Sequence, residues 1–544
     1  MRFLHTVNVL DPLPRKPLDF LLASAVVFFN LVFIREIEKS VANANKPTGW
    51  HNGRHHGNHE DLPITRDVII YATFLYKNST SFGTTGHDTF VMLMLAYRTD
   101  NFPFMRCARE NIETEPVTAQ LQSYDYTALC NQAIFIAICN FPTDLANDRR
   151  QNEGAMIDLG PQVLVNEQLR QTYADEPIFH ELVVRKADQT PRNLLICVSR
   201  IFAFEKWQLL LTAMEVYKAL GVDLVVMHIV SALSAVIKLI NAYEAEGRLA
   251  VRKGFKLPIL RAMNFDPELQ IEYSGQLAMA HECFYEFRES AKFIALLDLD
   301  DLLVTIKFAS LTDALNAASI KHSMAPYFYV NKLESGILLT RRQKNESTKA
   351  SARNFMHKFR ELILSKQMYN SEKLVLRPAR IDAFWVHFTR DYKGKHKPVQ
   401  LSNDYMTILH LSKDIKASAA EGYNEKFLTK IMNWPAAVNE SDFLKKATTK
   451  KIIDQMPKKH YYFDAIRHCS RFINNYPNAP VQIPSPCLSY KLCNLPKVKV
   501  DCSVAKSKYY TKTIMPTNIY RVHVLRKSYF VKRKGGCFGR KLKF

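Results

Sequence analysis

The stretch Ala291 to Val304, AKFIALLDLDDLLV, constrains this chain more than any other. Phe293 to Leu297 is an unbroken apolar run that stops at Asp298. An apolar run without alternation predicts a strand buried on both faces, as in a parallel sheet covered by helices. Carboxylates follow at Asp298, Asp300 and Asp301. In an extended chain Asp298 and Asp300 share one side and Asp301 faces the other. Two like charges on one side repel, and one pKa rises unless a cation sits between them. Oxygen ligands at this spacing suit Mg²⁺ or Mn²⁺ carried with a substrate diphosphate. A bare D-x-D is also a common acidic turn, so its surroundings decide its meaning.

Those surroundings are regular. Leu194 to Val198 reads as a short buried strand. Glu205 to Leu220 reads as a helix with Trp207, Leu210, Leu211, Met214 and Tyr217 on one face, closed by Gly221. Asp223–Ile229 is the next strand, Ala232–Glu246 the next helix, and Leu249–Arg252 a third strand. A further helix, Gln276 to Ser290, leads into the acidic motif. This alternation describes βαβ units and a parallel sheet. Ligands of such sheets bind at the carboxyl ends of the strands, where the acidic motif lies. Neither a G-x-G-x-x-G nor a G-K-[ST] loop is present, which disfavours a dinucleotide fold and a P-loop.

Upstream, Asp67–Tyr76 and Thr89–Tyr97 read as a strand pair within a small β-rich domain over residues 63–189. Phe20 to Ile34 is apolar except for Ser24 and Asn30, with Arg15 and Lys16 before it and Arg35 after it. Fifteen helical residues span roughly 22 Å, short of the ~30 Å hydrocarbon core. No small-x-small cleavage pattern follows. Against a cleaved signal peptide or a buried helix, we read residues 18–34 as an uncleaved signal anchor. Residues 1–17 are then cytoplasmic by the positive-inside rule, and 35–62 form a stem. His51, His55, His56 and His59 fall in that polar stem and read as solvated stalk rather than a metal tract.

With 544 residues and 47% hydrophobic content, the chain has room for two or three domains. Its net charge is +22, but residues 491–544 carry 15 Lys/Arg against a single acid, Asp501. The excess is local, so the chain does not read as a nucleic-acid binder. Pro480, Pro484, Pro486 and Pro496 mark a linker, and the basic segment 481–544 is expected to be poorly ordered. Ten cysteines without a C-x-x-C pair argue against a zinc ribbon and are compatible with disulfides. Sequons at Asn78, Asn345 and Asn439 favour a secretory-pathway lumen.

Several segments together carry a resemblance. They are Cys197-Val198-Ser199 with Phe202-Ala203-Phe204-Glu205, then Tyr217 to Asp223, and Glu272-Tyr273-Ser274-Gly275-Gln276. Cys283, Leu297-Asp298-Leu299-Asp300-Asp301, Arg377-Pro378 and His387 complete the set. In this order and spacing, over residues 190–412, the chain resembles glycosyltransferase family 92. The resemblance implies a GT-A-like, Rossmann-type mixed sheet covered by helices over residues 190–480. It also implies an inverting, Mn²⁺-dependent transfer of galactose from UDP-galactose to a glycan or glycoprotein, by a single-pass type II Golgi membrane protein with a luminal catalytic domain. Carried over residue by residue, Asp298 and Asp300 look like the pair that holds metal and diphosphate.

The remaining assignments rest on the residues themselves. Asp300 is expected as a direct metal ligand, and Asp298 through metal or ribose. His387, within FWVHF, is expected as a third ligand, since neutral imidazole suits Mn²⁺; a core histidine is the competing reading, and His410 is a weaker candidate. Asp301 serves equally as a turn cap or a ligand. Gly275-Gln276 is expected to approach the donor, or else to be a plain helix-start turn. Lys253 and Arg252, at a strand end, read as phosphate ligands or as a solvated basic edge. An inverting reaction needs a base, for which Glu334, Glu372 and Asp382 are available; Asp382 is chosen, although spacing does not separate them. Departures from the family pattern at Arg200, His281-Glu282, Asp301 and Leu411-Ser412 motivate an alternative, an anchored lectin or scaffold that binds without turnover. A D-x-D metal-dependent phosphatase is the rival enzyme, disfavoured by Leu302 and by the α/β structure preceding the motif.

Overall fold

The computed structural model describes residues 66–82, 86–100, 105–109, 116–124, 130–142, 155–158, 180–259, 266–337, 362–389, 397–411, 441–474, 487, 489–490, 493, 495–513 and 520–538. The expected anchor and stem, and the sequons at Asn345 and Asn439, lie outside these residues. Among the described residues no helix is long and apolar enough to cross a membrane.

The strands run in chain order as β1 (Arg66–Ser79), β2 (His87–Tyr97), β3 (Arg106–Arg109), β4 (Val117–Thr118), β5 (Gln120–Tyr124), β6 (Gln132–Pro142), β7 (Ala155–Asp158), β8 (His180–Leu182) and β9 (Arg185–Lys186). The next group is β10 (Arg192–Ile201), β11 (Leu224–Ile229), β12 (Ser231–Leu233), β13 (Leu249–Lys253), β14 (Ala291–Leu296), β15 (Asp301–Val304), β16 (Tyr327–Ile337), β17 (Leu362–Leu376), β18 (Val399–Gln400) and β19 (Thr407–His410). The last two are β20 (Cys502–Thr513) and β21 (Tyr520–Arg533). The helices are α1 (Trp207–Ala219), α2 (Ser234–Ala245), α3 (Gln276–Glu286), α4 (Leu311–Lys321), α5 (Asp442–Lys445), α6 (Ala447–Asp454) and α7 (Phe463–Asn474).

The architecture is mixed α/β and fits the GT-A-like expectation. One sheet has the order β13-β11-β10-β14-β17-β16-β19-β15, with β18 beside β16. Its first four strands are parallel, and β17 then pairs antiparallel with β14. The parallel half follows from sequence: β10, β11 and β14 are apolar throughout their centres and are buried on both faces. Helix α1 stops where Gly221 adopts a left-handed φ of 74°, and α2 stops at Gly247 with φ 69°. Ser310 caps α4 by accepting from the Asp313 N–H, while its hydroxyl donates to the Asp313 carboxylate at 2.8 Å.

A second sheet has the order β12-β20-β21-β1-β2-β6-β5, with β9 also on β1, and a third the order β4-β3-β7-β8. The expected pair β1–β2 is present and antiparallel. It does not belong to a self-contained domain ending at residue 189. β1 pairs in parallel with β21, and β12, which leads into α2, pairs with β20.

The expectation of a poorly ordered basic tail is overturned for β20 and β21, which pair antiparallel inside this sheet. Part of the Lys/Tyr interleaving there is strand alternation: Lys506, Lys508 and Tyr510 are exposed while Ser507 and Tyr509 between them are partly buried. Its anchor is Asp67, which accepts from Arg521 Nε at 2.6 Å and contacts His523 Nε2 at 2.8 Å. All ten cysteines are paired: Cys107–Cys139, Cys130–Cys487, Cys197–Cys283, Cys469–Cys493 and Cys502–Cys537.

Candidate functional site

The chain turns between β14 and β15 instead of continuing as one strand. The Asp301 N–H donates to the Asp298 carbonyl at 3.1 Å, closing the turn. This changes the geometry expected from extended alternation. The Asp298 and Asp300 side chains part company, because turn residues do not obey the two-residue period of a strand. Asp298, half-exposed, accepts from Lys373 Nζ at 2.6 Å. Lys373 also lies 3.2 Å from Asp301 Oδ2. Asp300 lies 3.5 Å from His410 Nε2.

Pairing of distant strands brings these groups together. β15 pairs antiparallel with β19, which sets Asp301 opposite His410. β19 runs parallel to β16, which sets His410 beside Glu334. β17 lies next to β14 and delivers Lys373 one residue before the Leu374–Leu296 pair. The Asp301 carbonyl accepts from the buried Tyr217 hydroxyl at 3.0 Å, which ties the turn to α1.

Asp300, Asp301 and His410 each offer one ligand atom, all within 4.8 Å of one another. Asp301 is buried, and its Oδ1 has no hydrogen-bond partner. A buried carboxylate oxygen without a donor is costly unless something positive meets it. Two carboxylates and an imidazole are a donor set that suits Mn²⁺ or Mg²⁺. The residues present therefore fit a divalent ion.

The electrostatics follow from burial and charge. Burial pushes the Asp301 carboxyl up to about 6; Asp298 and Asp300 add to the rise and Lys373 opposes it. Burial also acts upward on Asp300, but the contact with His410 and the charge of Lys373 outweigh it and hold Asp300 below the usual carboxylate range. His410 is raised to about 9: burial lowers it, and Asp300 and Glu334 more than reverse that. Lys373 is held protonated, since Asp298 and Asp301 overcome its desolvation. The His410 Nδ1–H donates to Glu334 Oε1 at 2.9 Å, which turns Nε2 toward Asp300. A carboxylate behind a histidine fixes its tautomer in this way at metal sites.

Comparison with known proteins now decides the family. The sequence pattern of glycosyltransferase family 92 matches residues 192–459. A glycosyltransferase family 92 protein of Caenorhabditis elegans is 24% identical over 469 residues, 82% of this chain and 85% of the relative. A second from the same organism is 23% identical over 508 residues, 88% and 90% of the two chains. The chain belongs to glycosyltransferase family 92.

As a family 92 glycosyltransferase, the protein carries its sequence-expected site residues in different settings. Asp300 lies in the Asp-Asp-His cluster, and Asp298 lies beside it on Lys373. His387 packs edge-on against Trp385, with ring centroids 5.0 Å apart, and is outside the cluster. His410, given less weight from sequence, is in it. Gly275 has φ 87° and joins the short 3-10 turn Glu272–Ser274 to α3, so a left-handed backbone accounts for the glycine. Gln276 is the first residue of α3. Asp382 accepts from Arg288 Nη2 at 2.6 Å, and its carbonyl accepts from the Tyr285 hydroxyl at the same distance. Glu334 is buried behind His410. Lys373 was not anticipated, although a lone cation opening the apolar run Leu374–Leu376 was a visible signal.

Proposed function

We propose that this family 92 glycosyltransferase is a metal-dependent, inverting hexosyltransferase that moves galactose from UDP-galactose to a glycan or glycoprotein acceptor. One observation carries the reading: the buried, unpartnered Asp301 oxygen within the Asp300–Asp301–His410 cluster, at the carboxyl end of β14. When bound there, a divalent ion supplies Lewis-acid charge for a leaving diphosphate.

The chain's own residues do the rest. Glu334 holds the His410 ring with Nε2 toward the cluster. Lys373 keeps Asp298 and Asp301 from repelling one another and keeps positive charge beside the phosphate-facing turn. Asp382, the base chosen from sequence, is held by the buried Arg288 at the amino end of β14, the length of that strand away from the cluster, so it is not placed to take the acceptor proton there. The proposed setting is the Golgi lumen, with residues 18–34 as a type II anchor. Five disulfides support an oxidising compartment.

A second reading has an observation in its favour. The Lys373 ammonium already sits between Asp298 and Asp301, as a cation built into the chain. That arrangement suits an anchored lectin or scaffold, which binds a ligand without turning it over. A screen of purified protein against UDP-sugars, with Mn²⁺ and with chelator, separates the two. The expected result is chelator-sensitive turnover of UDP-galactose, lowered about a hundredfold or more in Asp300→Asn. Asp382→Asn is expected to leave kcat and donor KM unchanged, because Asp382 pairs with Arg288 at the far end of β14. Donor binding without turnover across an acceptor panel decides for the scaffold.

A further inference from the structure

The sheet that contains β1 opens along one edge. β2 covers one side of β1, so β21 and β9 share the other. β21 pairs with Arg66 to Ile70, and β9 pairs with Phe74 and Leu75. Tyr71 to Thr73 fall between these two partners. The gap faces β13, the edge strand of the nine-stranded sheet, and encloses a cavity of about 210 Å³.

The walls of this cavity are basic. Arg185, Arg252, Lys253, Arg526 and Lys527 line it, against one acid, Glu282. Glu282 is already compensated: it lies 2.8 Å from Arg185 and 3.4 Å from His228. Arg252 pairs with Glu286, and Arg526 with Glu181 at 3.1 Å. Lys253 and Lys527 are exposed and have no ion pair among the described residues. Tyr71 also lines the cavity. It is only 2% exposed, is stacked 4.9 Å from Phe255, and its hydroxyl has no hydrogen-bond partner.

We propose that this cavity is a binding site for a tetrahedral oxyanion, a sulfate or phosphate group, held between Lys253 and Lys527 with Tyr71 donating from the floor. Charge selects an anion, and a buried phenol without an acceptor selects a ligand that accepts hydrogen bonds. Size selects a small group, because sites that bury a whole drug-sized ligand measure about 300–1,000 Å³. The site is separate from the acidic cluster. β13 lies three places from β14 in the sheet order, about 14 Å at ordinary strand spacing. The inference therefore does not depend on the reaction proposed above. The group is free in solution, esterified to a sugar, or part of a lipid headgroup, and the three sources share one chemistry.

Isothermal titration of the full chain with three probes tests the site: inorganic sulfate, a sulfated monosaccharide, and phosphatidylcholine vesicles containing phosphatidic acid. At least one probe is expected to bind saturably. Lys253→Gln with Lys527→Gln is expected to weaken that binding about tenfold or more, since two charge-assisted contacts are lost. Tyr71→Phe, which keeps the stacking, is expected to weaken it several-fold, with the thermal midpoint of each variant reported alongside. The probe whose binding depends on these residues identifies the source. No binding by any probe, or binding undiminished in the double-lysine variant, overturns the site.

Discussion

His281 is fully buried on α3, and its ring lies parallel to Phe384 with centroids 4.2 Å apart. Its Nδ1 donates to the Leu277 carbonyl at 2.9 Å, so Nε2 remains the acceptor that faces the Phe384 N–H at 3.5 Å. A second proton would set N–H against N–H in a dry site, and burial holds the imidazole down at about 4 against an ordinary 6.5. The folded state then binds fewer protons than the unfolded state between these values. The stability is fully present above pH 6.5 and is lost as pH falls toward 4. A shift of this size amounts to about 3 kcal/mol. His281→Gln cannot titrate there, so its thermal midpoint should fall less than that of the wild type across this window. Parallel slopes for the two proteins would show that His281 is not the group responsible. From sequence this pair, His281-Glu282, was visible only as a departure from the family pattern. Burial and the neighbouring N–H are tertiary facts.

At the scale of elements, Glu205 shows how a residue just before one helix serves another. Its buried carboxylate accepts from the N–H groups of Tyr461, Tyr462 and Phe463, at 2.6, 2.9 and 2.7 Å. These donors belong to the entry of α7, whose first-turn N–H groups have no intrahelical partner. The carboxylate also favours the positive end of the helix. Glu205→Ala strands three donors and is expected to cost about 3 kcal/mol, with Glu205→Gln losing roughly half as much. Thermal unfolding of both variants tests this; equal loss in the two would point to packing rather than hydrogen bonding. The elements from β10 to β14 were legible within a few residues, because apolar runs, helical faces and Gly221 are local signals. The cluster was only partly legible. Asp300 and Asp301 stand in the visible motif, but His410, Glu334 and Lys373 arrive through β19, β16 and β17. Their register is fixed by pairing between segments far apart in sequence. The β20–β21 hairpin was missed because its charge masked a period of two.

At the scale of the molecule, the two ends of the described chain make one sheet. Arg66 pairs with Tyr520 and Ile70 with Val524, across more than 450 residues. Bringing such distant strands together carries a loop-closure cost that local contacts do not repay. The structure holds this junction in two ways. Asp67 gathers Arg521 and His523, and its carboxyl stays below the usual range, because those partners outweigh burial. Cys130–Cys487 joins the start of β6 to the segment leading into the C-terminal hairpin, across 357 residues. A crosslink over so long a span acts mainly by restricting the unfolded chain, although Cys197–Cys283 and Cys469–Cys493 shorten the effective loop. Replacing both cysteines, Cys130→Ser with Cys487→Ser, is therefore expected to lower stability by about 3 kcal/mol without altering the native sheet. Thermal unfolding measures the first effect, and hydrogen exchange of the β1 and β21 amides measures the second. If those amides lose protection while the midpoint is unchanged, the disulfide acts on the folded junction itself, and the chain-entropy account of it fails.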